Sequence, residues 1–380
     1  EQTAGGGFHL DDIALDSGGL QLTGNLRTTA DGFPEHLEVD GALNPESGEP
    51  LVLPGESGVT VAGGTIRLRY GNGSEWSGEI AVTGVETPKV SIDATTLTMG
   101  GLAMRLNEPD RRQVTAVIDG TVEGISGDDP ALAQALEGAL NLHVDAAWNA
   151  GEPVVLKDTT VQVGTVELVL NGEASEAGFN GRLRIDAEDM AHFAALADRE
   201  LGGSLNAVVE GQVDPLNGSF DLLLDGQAVD LALGVPQLDP LLQGETVLAG
   251  GLGRSADGIR ARDFRIENPE LSLRADGIYA ALGSDFSFTA ALSDLGLVTE
   301  QASGEVRFEA NATGGVDGLQ MTAELAMPEG TLEGRPVSDA VLDLVVSGAN
   351  AQQVSGSING GAQVGDLPVR MDGGFSLDNG

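Results

Sequence analysis

Between its turn residues this chain alternates apolar and polar side chains one for one, and a period of two commits it to β-strands with one dry and one wet face. Phe286, Phe288, Ala290 and Leu292 interleave with Asp285, Ser287 and Thr289. Val306, Phe308, Ala310 and Ala312 interleave with Glu305, Arg307, Glu309 and Asn311. The same phase returns where Ile66, Leu68 and Tyr70 alternate with Arg67 and Arg69, and where Leu183, Ile185 and Ala187 alternate with Arg182, Arg184 and Asp186.

Asp-Gly and Asn-Gly are strong hairpin signals, because a type I′ turn needs positive φ at both central residues. Asp-Gly begins at Asp31, Asp40, Asp119, Asp225, Asp257, Asp276, Asp317 and Asp372, and Asn-Gly at Asn72, Asn171, Asn180, Asn217, Asn359 and Asn379. These spacings predict an antiparallel meander of hairpins of roughly 20 residues, without a fixed repeating sequence. Two stretches break the period. Asp129-Pro130 followed by Leu132, Leu136 and Leu140 predicts a short helix over 129–140. Met190, Phe193, Ala194, Ala197 and Leu201 share a helical stripe over 188–201, with Gly202-Gly203 as its stop. The expected class is therefore all-β with two short helices, as one elongated repetitive domain over 1–380.

Helices this sparse cannot cover such a sheet. With 41% hydrophobic residues but only 4% aromatic ones, the chain has ample aliphatic surface to hide. An exposed flat apolar face beyond a few hundred Å² calls for a partner. The sheet must close, fold over on itself, or be filled.

Charge excludes one class of partner. The chain carries 19 Lys+Arg against 59 Asp+Glu, a formal charge of −40, with Lys89 and Lys157 as its only lysines. Such a surface repels nucleic acid, and it repels an anionic membrane face within a Debye length of about 8 Å. There is no cysteine, hence no disulfide framework, and no apolar run reaches the length of a membrane helix. The start at Glu1 and the finish at the turn dipeptide Asn379-Gly380 read as the limits of a piece of a longer chain.

Nothing in the residues assembles a catalytic constellation. His9, His36, His143 and His192 are scattered, without the i, i+4 spacing of a zinc site, and His143 falls on the polar phase between Leu142 and Val144. The acidic pairs Asp128-Asp129 and Glu188-Asp189 stand at helix starts, where carboxylates complement the dipole, and nothing marks Asp11-Asp12 as buried. Gly251-Leu252-Gly253 lacks the third glycine of a dinucleotide loop, and no calcium-binding repeat occurs. Trp76, Trp148, Tyr70 and Tyr279 are too dispersed to make a sugar platform. No enzyme, no metal and no cofactor is the expectation.

From the end of the second helix onward the chain resembles a known family. The carrying residues are Ala197-Asp198-Arg199-Glu200-Leu201-Gly202-Gly203, then Ser204-Leu205-Asn206-Ala207-Val208-Val209-Glu210-Gly211, Val213-Asp214-Pro215 and Phe220-Asp221-Leu222. They continue through Ala228-Val229-Asp230-Leu231-Ala232-Leu233-Gly234-Val235-Pro236, Leu238-Asp239-Pro240-Leu241-Leu242-Gln243-Gly244, Ile266-Glu267-Asn268-Pro269-Glu270-Leu271 and Ala275-Asp276-Gly277. This stretch looks like the TamB type of translocation and assembly module protein, within the AsmA-like group of bridge-like lipid transfer proteins. The specific motifs lie at about residues 190–300, and the style of sequence extends over nearly the whole chain.

The resemblance implies a sheet curved lengthwise into an elongated trough, or β-taco, in the periplasm of a Gram-negative bacterium. It implies phospholipid as ligand, passage of lipid between inner and outer membranes, and a link to outer-membrane biogenesis. An outer-membrane assembly protein of the BamA/TamA type is the implied partner, and an inner-membrane anchor is implied outside these residues.

The alternating residues that would line such a trough are Leu205, Ala207, Val209, Phe220, Leu222, Leu224, Phe264, Ile266, Leu271, Leu273, Phe286, Phe288, Val306, Phe308, Leu342, Leu344 and Val346. The residues alone leave lining and closed sandwich core as open alternatives, and the resemblance favours lining. Stacking about 25–30 strands at about 4.8 Å would give a length on the order of 120–140 Å, that of a conduit rather than a pocket. Two other readings compete. A closed-core adhesive or spacer array with no lipid ligand predicts Pro/Ser/Thr-rich linkers, which the sequence lacks, and a parallel β-helix enzyme predicts parallel coils, which the hairpin turns oppose.

Overall fold

The computed structural model describes residues 7–45, 49–52, 58–280, 282–315, 318–348 and 353–378. The protein is all-β and antiparallel, with 25 strands among the described residues. Its backbone contacts divide it into two compact units, Glu1–Asp186 with His192–Asp198, and Ala187–Ala191 with Arg199–Gly380.

Strands β1 (His9–Ser17), β2 (Leu20–Thr28), β3 (Pro34–Leu43), β4 (Leu51–Val52), β5 (Thr60–Tyr70), β6 (Glu75–Glu86) and β7 (Val90–Met104) open the first unit. They are followed by β8 (Gln113–Glu123), β9 (Ser126–Gly127), helix α1 (Pro130–Ala135), β10 (Leu140–Asn149), β11 (Val154–Val163), β12 (Val166–Ser175), β13 (Gly178–Ala187) and helix α2 (Ala194–Ala197). From β1 to β12 each long strand pairs with the next long strand in sequence, while short β4 and β9 lie on β5 and β7.

The second unit holds β14 (Leu201–Asp214), β15 (Ser219–Leu233), β16 (Glu245–Ser255), β17 (Gly258–Glu267), β18 (Leu271–Ala280) and β19 (Ser284–Leu292). It continues with β20 (Ala302–Gly304), β21 (Val306–Gly314), β22 (Gln320–Leu332), β23 (Arg335–Ser347), β24 (Gln353–Val364) and β25 (Leu367–Asp378). Again each long strand pairs with its neighbour in sequence, and β20 lies on β22. In neither unit does a described pairing return the last strand to the first, so both meanders are open.

Most Asp-Gly and Asn-Gly pairs do not make turns. Those at Asp31, Asn72, Asn217 and Asp257 do, but Asp40, Asp119, Asp225, Asp276, Asp372, Asn171, Asn180 and Asn359 lie inside strands, and Asp317 and Asn379 lie outside the described residues. The alternation explains this. At Asp40-Gly41 and Asp119-Gly120 the aspartate faces the wet side while the glycine takes the dry side beneath a neighbour's large side chain. A Cβ on Gly41 would stand 2.6 Å from Ile66 Cγ2, and one on Gly120 would stand 2.5 Å from Leu97 Cδ2.

Aspartate has a second structural use. Asp12, Asp158 and Asp263 sit at strand bulges with φ of 51°, 45° and 45°, a conformation that aspartate tolerates better than most residues. Each donates its backbone N–H to a side chain on the next strand, Asn25, Asn171 and Asp276 respectively, at 3.0, 2.8 and 2.9 Å. The separation is 13 residues in all three, so one hairpin device recurs where the side chains otherwise vary.

The helices are shorter than their sequence stripes. Leu140 already opens β10, and the second stretch divides into a 3-10 turn at Met190–Phe193 and the single turn α2. Asp198, at φ 50° and ψ 40°, ends α2 with its N–H on Ala195, and Gly202-Gly203 belong to β14. A one-turn helix fixes several residues for few hydrogen bonds, so the adjoining strand ladders claim the flanks.

Candidate functional site

Register places every lining candidate on one face of the second unit, since directly paired residues of antiparallel strands share a side. One row runs Val209, Leu224, Gly250, then Phe264, Ala275, Phe288, Ala310, Ala323, Leu344 and Ile358. Beside it runs Ala207, Gly226, Leu248, Ile266, Leu273, Ala290, Phe308, Leu325 and Leu342. On the other side run Leu222, Leu252, Ala261, Gly277, Phe286, Ala312, Met321, Val346, Gly356 and Phe375. Leu205 with Ala228, and Leu271 with Leu292 and Val306, form the row at one end of the strands. Phe220 stands at the other end.

This face is half covered. Ala207, Leu271 and Val306 are buried, whereas the other lining candidates are only part-buried. A closed sandwich would bury such aliphatic and aromatic side chains almost completely.

Across β14 to β18 burial is graded from one end of the strands to the other. At the end where β15 leaves for β16, the segment carrying the 3-10 turn Asp239–Leu242 folds back over the face. Leu241 and Leu242, 4% and 6% exposed, pack there on Ala228, Leu231 and Leu271. Asp239 Oδ1 accepts the Leu233 N–H at 2.8 Å and ties the segment down. A second such segment, Leu295–Leu297, brings Leu295 onto Val306, Met327 and Val337. Asp294 anchors it by accepting the N–H groups of Gly304 and Gly296 at 2.7 and 2.9 Å, and those bonds hold its carboxyl below the usual range. The opposite end is uneven, with Leu319 between β21 and β22 only 1% exposed. There Ile259 and Tyr279 on the same face are 53% and 44% exposed, and Leu282 in the adjoining turn is 82% exposed.

The first unit carries an equivalent face that the lining candidates did not include. Leu15, Leu22, Gly41, Ile66, Ile80, Leu97, Gly120, Leu142, Val161 and Leu168 form one of its rows. Interspersed glycines obscure the alternation there. Its turn end is fastened by Arg112, which is buried, donates from Nε to the Leu106 carbonyl at 2.8 Å, pairs with Asp31, and lies 3.8 Å above the Phe33 ring.

The polar faces carry paired charged side chains. His143 lies on the wet side and meets Asp119 at 2.6 Å, and His9 meets Asp11 at 2.7 Å, partners that no sequence spacing revealed for His143. Asp129 and Asp189 accept the N–H groups of Ala131 and Ala191 at 2.9 and 2.8 Å, as capping carboxylates do. Among the described residues no three potential ligands converge on a metal position, and no helix is long and apolar enough to cross a membrane. No known protein family matches the chain, and no curated protein or solved structure matches it either.

Proposed function

We propose that the apolar face holds the acyl chains of phospholipid, and that the protein is a non-enzymatic, periplasmic lipid conduit of the TamB type, linked to outer-membrane biogenesis. The observation that carries this reading is the continuous, half-covered aliphatic face of the second unit, plugged at one end of its strands and bare at the other across β16 to β18. At about 0.8 kcal/mol per CH₂, a 16-carbon chain exposed to water costs on the order of 12 kcal/mol, and an aliphatic face removes most of that. Sliding along such a face needs no specific polar clamp, which fits a site made of Leu, Val, Phe and Ala. Phospholipid is the ligand under this reading, with an outer-membrane assembly protein of the BamA/TamA type and an inner-membrane anchor as the other parts of the system.

Native mass spectrometry and lipid extraction on protein prepared without detergent test the proposal. Co-purifying phospholipid is the expected result. A lipid-free chain that also takes up none from added phospholipid would overturn it in favour of a closed structural or adhesive role.

A further inference from the structure

The last row of the second unit's apolar face, at the bare end of the strands, runs Val213, Phe220, Arg254, Ile259 and Tyr279 in direct register. A cation interrupts an otherwise apolar row. The other arginines of β17, β18 and β21 point to the wet side, where Arg262 pairs with Asp221, Arg274 with Glu267 and Arg307 with Glu305. Arg254 is exposed and has no ion pair among the described residues, in a chain of formal charge −40. Asp221 on the neighbouring strand faces away from it and is held by Arg262.

We infer that Arg254, with the Tyr279 hydroxyl, binds the phosphate of a phospholipid whose acyl chains lie on the face behind it. This rests on the acyl-chain reading above. Guanidinium offers paired donors that fit phosphate oxygens, and the flanking Phe220 and Ile259 lower the local polarity, which strengthens the contact. Arg254 and Tyr279 stand two strands apart, about 10 Å between backbones, so both side chains reach one anion between them. The plugged end of the strands leaves the head group no exit there, whereas the end bearing Arg254, Ile259 and Tyr279 opens to water.

The test offers the 380-residue chain equal amounts of diacylglycerol and phosphatidylglycerol with the same acyl chains, and counts bound lipid by mass spectrometry. The expected result is about a tenfold preference for phosphatidylglycerol, abolished in Arg254→Gln, reduced in Tyr279→Phe and kept in Arg260→Gln, whose side chain lies on the wet face. Circular dichroism checks that the variants keep their β-structure. Equal uptake of both lipids by the unaltered chain would overturn the head-group contact and leave the acyl-chain reading standing. Uptake of neither would overturn both. Inorganic phosphate competing as well as phosphatidylglycerol would also overturn the assignment, marking a general anion site.

Discussion

Phe288 and Phe308 meet edge to face on adjacent strands, ring centroids 6.0 Å apart and planes at 64°. They are diagonal neighbours, since Phe288 pairs with Ala310 and Phe308 with Ala290. Such a contact contributes about 0.5–1.5 kcal/mol beyond the area it buries. Both rings nevertheless stay part-exposed, so the pair binds strand to strand without closing the face.

Charge placed at this pair separates lining from core. Phe288→Asp is expected to keep its far-UV circular dichroism and to lose bound phospholipid. Loss of the β-signal instead would place Phe288 in an ordinary core.

The two ends of the strands are expected to differ in stability. Leu242→Ala, in the plug, costs about 2–4 kcal/mol by urea unfolding, the price of a buried leucine cavity, while Ile259→Ala at the bare end costs under about 1 kcal/mol. Equal costs would remove the distinction between plugged and bare ends.

The bulge device predicts different costs for two substitutions at one position. Asp158→Gly is expected to be neutral or to differ by under about 1 kcal/mol, because glycine accepts φ of 45°, whereas Asp158→Val costs about 1–2 kcal/mol. Asn171→Ala leaves the Asp158 N–H without its side-chain acceptor and costs about 1 kcal/mol. Urea midpoints of the three variants decide this.

Acid should loosen the first unit through Asp31. Its carboxyl is held below the ordinary value of 3.8, first by the Thr29 hydroxyl and then by Arg112. A depressed folded value means that the contribution is complete above about pH 4 and is lost as the pH falls through the folded value. Asp31→Asn should therefore flatten the acid limb of the stability curve, and Arg112→Ala should cost about 2 kcal/mol at neutral pH. An acid limb unchanged in Asp31→Asn would show that the clasp does not titrate.

The strand phase around Phe286 to Leu292 and Val306 to Ala312 was legible because each position alternates without a break, and the structure keeps that phase in β19 and β21. The turns were misread where Asp-Gly is simply one wet and one dry position, as at Asp40-Gly41 and Asp119-Gly120. A dipeptide reports the φ it tolerates, not the ladder that surrounds it. The 13-residue spacing of Asp12 with Asn25, Asp158 with Asn171 and Asp263 with Asp276 was present in the sequence, hidden among 59 acidic residues.

By itself, then, the sequence determined an antiparallel all-β meander with one aliphatic face, because side-chain period and turn chemistry are local. Only the tertiary structure decided which residues stand side by side, which end of the strands Leu241, Leu242 and Leu295 plug, and that Arg254 shares a row with Phe220, Ile259 and Tyr279. Those facts depend on register and on loops folding back over distant strands, and no local pattern encodes either.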